Sequence, residues 1–280
     1  MRPILDGLDT DRYLHVLVER LRATLADRLV GAWLINSAAR GDYLPGRSDL
    51  DVTVGVTDRL DQRMKRRVAD ELRHGTLPVP APRLELVVYR MEVLAAPGER
   101  PDWELNLNTG PAIADHVGTE PAAEPAHWFV LDLAAAGERS RAIAGPPLGQ
   151  VLGGIDDPVV LAALQASATW HADHDAAAPN RVLNACRAWR WLETGSWSSK
   201  TGAATWAIEA GGDEALIRLA LGRRGGEGDR PLTRAAVASF VAGIEQRLLA
   251  ASLASSRSAS VTGILPEQHG RAGAPRSRGT

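Results

Sequence analysis

One cysteine, Cys186, stands in 280 residues, so the chain can form neither an intramolecular disulfide framework nor a cysteine-rich zinc module. Lysine occurs only at positions 65 and 200; arginine supplies the rest of the 32 basic residues. Two phenylalanines and three tyrosines stand against eight tryptophans. The net charge of −2 gives no global drive toward nucleic acid or anionic lipid. No apolar run approaches the roughly 18 residues that span a bilayer, which argues against an integral membrane protein. The stretch from Met1 to Asp6 has no hydrophobic signal core, and a cytoplasmic product is the expectation. What remains is a soluble globular composition, 45% hydrophobic and 24% charged, long enough for two domains.

Three regions separate by pattern. Residues 9–92 read as α/β. Leu14, Leu17, Val18, Leu21 and Leu25 form a helical stripe ahead of an apolar strand from Val30 to Ile35. A turn-rich stretch, Ala39 to Ser48, leads into a second strand, Leu50 to Val56. There Leu50, Val52, Val54 and Val56 face one way while Asp49, Asp51 and Thr53 face the other. Leu60, Met64, Val68 and Leu72 predict another helix. A strand from Arg83 to Tyr89 then sets Leu84, Leu86 and Val88 against Glu85 and Val87.

Residues 93 to about 156 resist reading. Thr119 to His127 looks like a loop, and Trp128 to Arg141 fits a helix or a strand followed by a helix. From Asp157, taken as the N-cap before Pro158, the chain reads as all-helical. Helices are expected to about Asp173, over Pro179 to Thr194 with a stop at Gly195, and over Thr201 to Ala210, Asp213 to Leu221 and Pro231 to Ala250. The apolar stripe then dissolves into Ser, Gly, Arg and Pro. The organisation expected is an α/β (α+β) domain over 1–156 with a small mixed sheet, a helical bundle over 157–250 and a disordered tail over 251–280.

The segment richest in chemistry runs Leu34-Ile35-Asn36-Ser37-Ala38-Ala39-Arg40-Gly41-Asp42, then Gly46-Arg47-Ser48-Asp49-Leu50-Asp51-Val52. Strand period puts Asp49 and Asp51 on one face, where two carboxylates repel unless a cation compensates. Hard oxygen donors suit Mg²⁺ shared with substrate phosphates. Glu85, on a later strand, is placed to complete a metal site or to take a proton from a hydroxyl. Ser37 stands where a strand meets a helix start, a position suited to phosphate oxygens. Taken singly, Asp-x-Asp on a solvent-facing strand is common; order, spacing and strand placement together carry the weight.

The strand–Ser–turn–Ser-Asp-x-Asp pattern resembles the nucleotidyltransferase superfamily built on the DNA polymerase β catalytic fold. A second block, Val182-Leu183-Asn184-Ala185-Cys186-Arg187 with Trp189, Thr194-Gly195, Ser199-Lys200 and Trp206, resembles the helical domain of aminoglycoside adenylyltransferases acting on streptomycin and spectinomycin. Glu104 to Gly110 is similar to the same group. The resemblance touches residues 30 to about 210. It implies that Asp49 and Asp51, with Glu85, hold two Mg²⁺ ions, and that Glu85 is the catalytic base. Ser37 and Ser48 would bind the ATP triphosphate, with Arg187 and Lys200 reaching across from the helical domain. The implied reaction joins AMP from ATP to a cationic antibiotic and releases pyrophosphate, in a monomer or weak dimer with no nucleic-acid or membrane partner. The family usually has glycine before the phosphate-binding serine; Asn36 stands here, and asparagine is the next most tolerant of positive φ. The alternatives are a relative with another small-molecule or protein acceptor, and a degenerate nucleotide-binding module.

On the Pro179 helix, Val182, Ala185, Cys186, Trp189 and Leu192 read as an apolar arc, with Asn180, Asn184, Arg187 and Trp191 on a separate stripe. Cys186 is then a small buried hydrophobe. Acidic residues that could attract a cationic acceptor are Glu104, Asp173 and Asp175. Trp103, Trp128, Trp170 and Trp197 are core residues by default, with a sugar-binding wall as the other reading. His171 and His174, lacking cysteine support, read as a polar helix end rather than a metal site.

Overall fold

The computed structural model describes the backbone of residues 5–228 and 230–262, with side chains from 9 to 254 within that span. Its first half is a six-stranded mixed sheet: β1 (Leu29–Leu34), β2 (Leu50–Val56), β3 (Leu84–Arg90), β4 (Trp103–Gly110), β5 (Ile113–Gly118) and β6 (Arg141–Ala144). The order across the sheet is β5-β4-β3-β2-β1-β6. Only β2 and β3 run parallel, with Leu50 opposite Leu84, Asp51 opposite Glu85 and Val52 opposite Leu86. That register follows from the alternation, since slipping either strand by one residue would bury its carboxylates. On the outer face Leu50, Val52, Val54, Leu84, Leu86 and Val88 lie under α1 (Leu5–Leu25) and α3 (Gln62–Leu72), sealed by Leu14, Leu17, Leu21 and Val68. Each such side chain contributes about 1.5–3 kcal/mol by leaving water.

The inner face is different. Trp33, Tyr89 and Trp103 fill one end beneath α5 (Ala126–Glu138), where Phe129 and Leu133 meet them. The other end is left open as a cleft. Two short helices, α2 (Asn36–Ala39) and α4 (Met91–Ala95), follow β1 and β3.

The second half is helical: α6 (Asp157–His174), α7 (Pro179–Thr194), α8 (Lys200–Glu209), α9 (Glu214–Gly225) and α10 (Arg234–Thr262). Its core joins Val160, Leu164, Val182, Leu183, Cys186, Trp189, Ile217 and Val241. Helix α7 has the bounds expected and stops where Gly195 takes φ 66°. Helix α5 belongs to both halves, since Leu131, Ala134 and Ala135 pack into the helical core.

Four readings change. The β4–β5 hairpin and β6 occupy the stretch that carried no legible signal, because the hairpin turns through Pro111-Ala112 and β5 is exposed along nearly its whole length. A hairpin without an Asn-Gly turn or an alternating buried face leaves little trace in sequence. Helix α5 begins at Ala126, inside the expected loop. The N-cap of α6 is Asp156, leaving Asp157 in the first turn. Helix α10 continues past Ala250 to Thr262, so residues 251–262 are helical rather than tail; this run is rich in serine, a middling helix former, and carries no apolar period from which the extension could be read. Residues 263–280 of that expected tail lie outside the described residues. By length and composition Arg234–Ala254 is apolar enough to cross a membrane, yet Val237, Val241, Ile244 and Leu248 are buried against the other helices.

Candidate active site

Between the halves lies a cleft of about 1200 Å³, floored by β2, β3 and β4 and walled by α5, α6 and α7. It receives Ser37, Ser48, Asp49, Asp51, Glu85, Arg187 and Lys200 together, although these residues are spread over more than 160 positions of sequence.

The carboxylates come from the inner face of the sheet. Asp51 and Glu85 are direct neighbours across β2 and β3, and Asp49 lies two residues before Asp51 on the same side. Arg83 compensates their charge: one guanidinium nitrogen is 2.8 Å from Asp49 Oδ2 and 2.6 Å from Glu85 Oε1. A fourth acid, Asp132 of α5, faces the same group. Burial first, then Glu85 and Asp132, push the Asp51 carboxyl well above its usual range. Burial also raises Glu85, to about 7, with Arg83 opposing and Asp132 and Asp49 adding to the rise. Asp132 is raised by burial, against a hydrogen bond from Asn36 and the pull of Arg187 and Lys200.

Asn36 explains its own presence. Its φ is 53°, the left-handed conformation for which glycine or asparagine is favoured. Its side-chain amide donates to Asp132 Oδ1 at 2.9 Å and also opposes the upward shift of Asp51, placing a neutral donor beside two acids. Glycine would meet the backbone requirement but not this one.

The helical half supplies cations. Arg187 donates to the Ser198 carbonyl at 3.2 Å and lies 5.5 Å from the centre of the Trp197 ring. Lys200, at the start of α8, donates to Asn180 Oδ1 at 3.0 Å. Burial, then Arg187 and Arg224, lower the Lys200 ammonium to about 8. Ser37 sits in α2 at the cleft edge, and Ser48 Oγ accepts from the Leu44 amide at 3.0 Å, bracing its own loop. The loop is tied to the helices by Asp42, which pairs with Arg224 at 3.1 Å and accepts from the Thr201 hydroxyl at 2.6 Å. Arg40 adds a second tie, donating to the carbonyls of Trp197 and Ala135.

Magnesium fits this donor set in kind: hard carboxylate oxygens, crowded enough to raise one another's proton affinity, with Arg83 as their present counter-charge. Among the described residues no three Asp, Glu, His or Cys side chains converge on one point as they stand. Asp49, Asp51 and Glu85 are the residues that would hold the metal.

Two expected acceptor-side residues are corrected. Glu104 faces away from the cleft, because a bulge pairs Val88 with Leu105 but Tyr89 with Trp103, turning the intervening residue to the other face. There it is buried against Lys65, at 3.0 Å, and Arg90. Asp173 is exposed and does not line the cleft. Asp175 does line it, paired with His171 at 3.1 Å. Of the tryptophans, Trp103 is core, packed on Phe129; Trp128, Trp170 and Trp197 border the cleft, the first two at right angles 5.4 Å apart. Trp191, expected on the polar stripe, is buried in the helical core. His174 stacks on Trp170 and His171 bonds Asn184, which agrees with a polar helix end. Asp132 went unread, though a lone acid in the apolar run His127-Trp128-Phe129-Val130-Leu131-Asp132-Leu133 is itself a signal.

No curated protein matches the sequence. Residues 150–246 match the family described as aminoglycoside adenylyltransferase, C-terminal domain. Among solved structures, spectinomycin adenyltransferase AAD(9) from Enterococcus faecialis, determined with ATP and spectinomycin, is similar at a TM-score of 0.66 and 20% identity, covering 85% of this chain and 99% of that one. The helical half is thus similar over residues 150–246 to the C-terminal domain of aminoglycoside adenylyltransferases, and both halves together share the fold of AAD(9).

Proposed function

We propose that the protein transfers AMP from ATP to a hydroxyl of an aminoglycoside or aminocyclitol antibiotic, streptomycin or spectinomycin, and releases pyrophosphate. The observation that carries this reading is the polarity of the cleft. Asp49, Asp51 and Glu85 rise from the sheet on one side, and Arg187 and Lys200 reach in from the helices on the other. An anionic nucleotide and a cationic polyol are the pair that such a division accommodates. AAD(9) was determined with ATP and with spectinomycin, which supports the same pairing here.

In this reading Arg187 and Lys200, with the hydroxyls of Ser37 and Ser48, hold the triphosphate. Asp49, Asp51 and Glu85 would hold Mg²⁺, which neutralises phosphate charge and orients the phosphates when bound. Glu85 takes the proton of the acceptor hydroxyl as that oxygen bonds to the α-phosphorus. The bond from the α-phosphorus to the bridging oxygen breaks, and pyrophosphate leaves with the electron pair, its charge met by Arg187 and Lys200. The protein acts as a monomer or weak dimer on small molecules in the cytoplasm, without nucleic acid or membrane.

Pyrophosphate release from Mg²⁺ and ATP, measured with streptomycin and with spectinomycin, tests this. Release should require one of the drugs and fall at least 10³-fold, to about background, in Asp49→Asn, as expected when a group acting on the transition state is removed. Tight ATP binding with no drug-dependent release would reject the acceptor.

A further inference from the structure

The cleft contains a carboxylate that the proposed chemistry does not use. Glu124 follows β5 in the connection to α5; its side chain is only 10% exposed yet lines the cleft. Its Oε2 accepts from Asn106 Nδ2 at 2.6 Å, and its Oε1 lies 3.0 Å from His116 Nε2. Asn106 Oδ1 in turn accepts from Asn108 Nδ2 at 3.1 Å. Asn108 is the cross-strand partner of Glu85, and Asn106 that of Val87. A polar chain therefore leads from beside the proposed base to Glu124 along one face of β4.

The backbone makes room for it. A Cβ at Gly118, the last residue of β5, would stand 2.1 Å from Glu124 Oε1 and 3.2 Å from His116 Nε2. Only a residue without a side chain lets the carboxylate rest there. Among the described residues no lysine or arginine forms an ion pair with it; its one ionisable partner is the exposed His116, charged only when protonated, so a cationic ligand would bring the permanent counter-charge. Each carboxylate oxygen retains an unused lone pair. On the helical wall of the same cleft, Asn184 Oδ1 is buried with no hydrogen-bond partner, a second acceptor facing a ligand that must bring donors.

We infer that Glu124, positioned by Asn106 and His116 over Gly118, is the acceptor-recognising carboxylate, binding an ammonium group of the antibiotic while a hydroxyl of the same molecule lies at Glu85. This rests on the proposed transfer to an aminocyclitol and adds its specificity determinant. The two-residue step from Asn108 to Asn106 spans about 7 Å, comparable to one substituted six-membered ring.

Calorimetric titrations of spectinomycin, streptomycin and ATP into the wild type, Glu124→Gln and Gly118→Ala test the assignment. The first variant removes the charge at constant shape; the second keeps the charge and displaces it. Both should bind the wild type's preferred drug at least ten-fold more weakly, the loss expected for one charge-assisted hydrogen bond, and bind ATP within twofold of wild type. Should Glu124→Gln fail to fold, Gly118→Ala reads the same loss. Unchanged drug affinity overturns the assignment, as does a parallel loss of ATP affinity, which would mark a structural role. Wild-type drug binding without pyrophosphate release would strike the transfer chemistry alone; a wild type that binds ATP but neither drug removes both.

Discussion

Asn36 offers a direct test of why a position that adopts positive φ carries asparagine. Its amide donates to Asp132 at 2.9 Å, an acid already driven upward by burial. A hydrogen bond to a charged group contributes about 1.5–3 kcal/mol, so this one gives about 2 kcal/mol. Asn36→Gly loses it but relieves the backbone at φ 53° by about 1 kcal/mol, for a net loss of about 1 kcal/mol. Asn36→Ala loses the same bond and adds left-handed strain, for about 3 kcal/mol. Urea unfolding at neutral pH measures both. The order should be wild type, then Gly, then Ala, with midpoints shifting and slopes unchanged. A glycine variant as stable as the wild type would refute the argument, because it would mean the amide beside the acids contributes nothing.

Arg224→Met leaves Asp42 nearly buried without its cation and should destabilise by about 3 kcal/mol, most of it restored in the Asp42→Asn/Arg224→Met double variant; chemical denaturation measures the cycle. Lys200 is held at about 8 against an ordinary 10.5, so between those values the unfolded chain binds more protons than the folded one, and its contribution to stability rises with pH. The penalty is therefore full below pH 8, and Lys200→Met should be more stable than wild type at pH 7, an advantage that shrinks toward pH 10.5 in melting experiments. The same variant should bind ATP about ten-fold or more weakly by calorimetry, having lost a phosphate contact. Burial pushes the Cys186 thiol up to about 12, so a disulfide reagent should find no reactive thiol in the folded protein and one per chain in guanidinium.

Much of the fold was legible because its elements advertise themselves by period. The alternation from Leu50 to Val56 places Asp51 on the cleft face without further information, and Gly195 marks the end of α7 as its left-handed φ requires. The cluster of Asp49, Asp51 and Glu85 was readable for the same reason. What escaped depends on contacts that no local pattern encodes. Glu104 alternates correctly with Asn106 and Asn108, but a single bulge reverses its direction and buries it against Lys65. Glu124 lies in a connection with no periodicity, and its place follows from a missing side chain at Gly118 in a neighbouring strand. Asp132 is carried by a helix whose apolar composition hides which side faces the acids.

Helix α5 changes how the protein can be recombined with its relatives. Phe129 and Leu133 serve the sheet while Leu131, Ala134 and Ala135 serve the helices, and Asp132 projects between them into the cleft. A chimaera joined near residue 156 would graft a foreign bundle onto this helix and create an ill-matched seam, though every element on either side were intact. A joint at Ala126 only moves the seam, since it sets a foreign helix on Trp33, Tyr89 and Trp103 and replaces β6, the strand that pairs with β1. Neither joint separates the halves, so an exchange has to carry the matching faces of α5 on both sides.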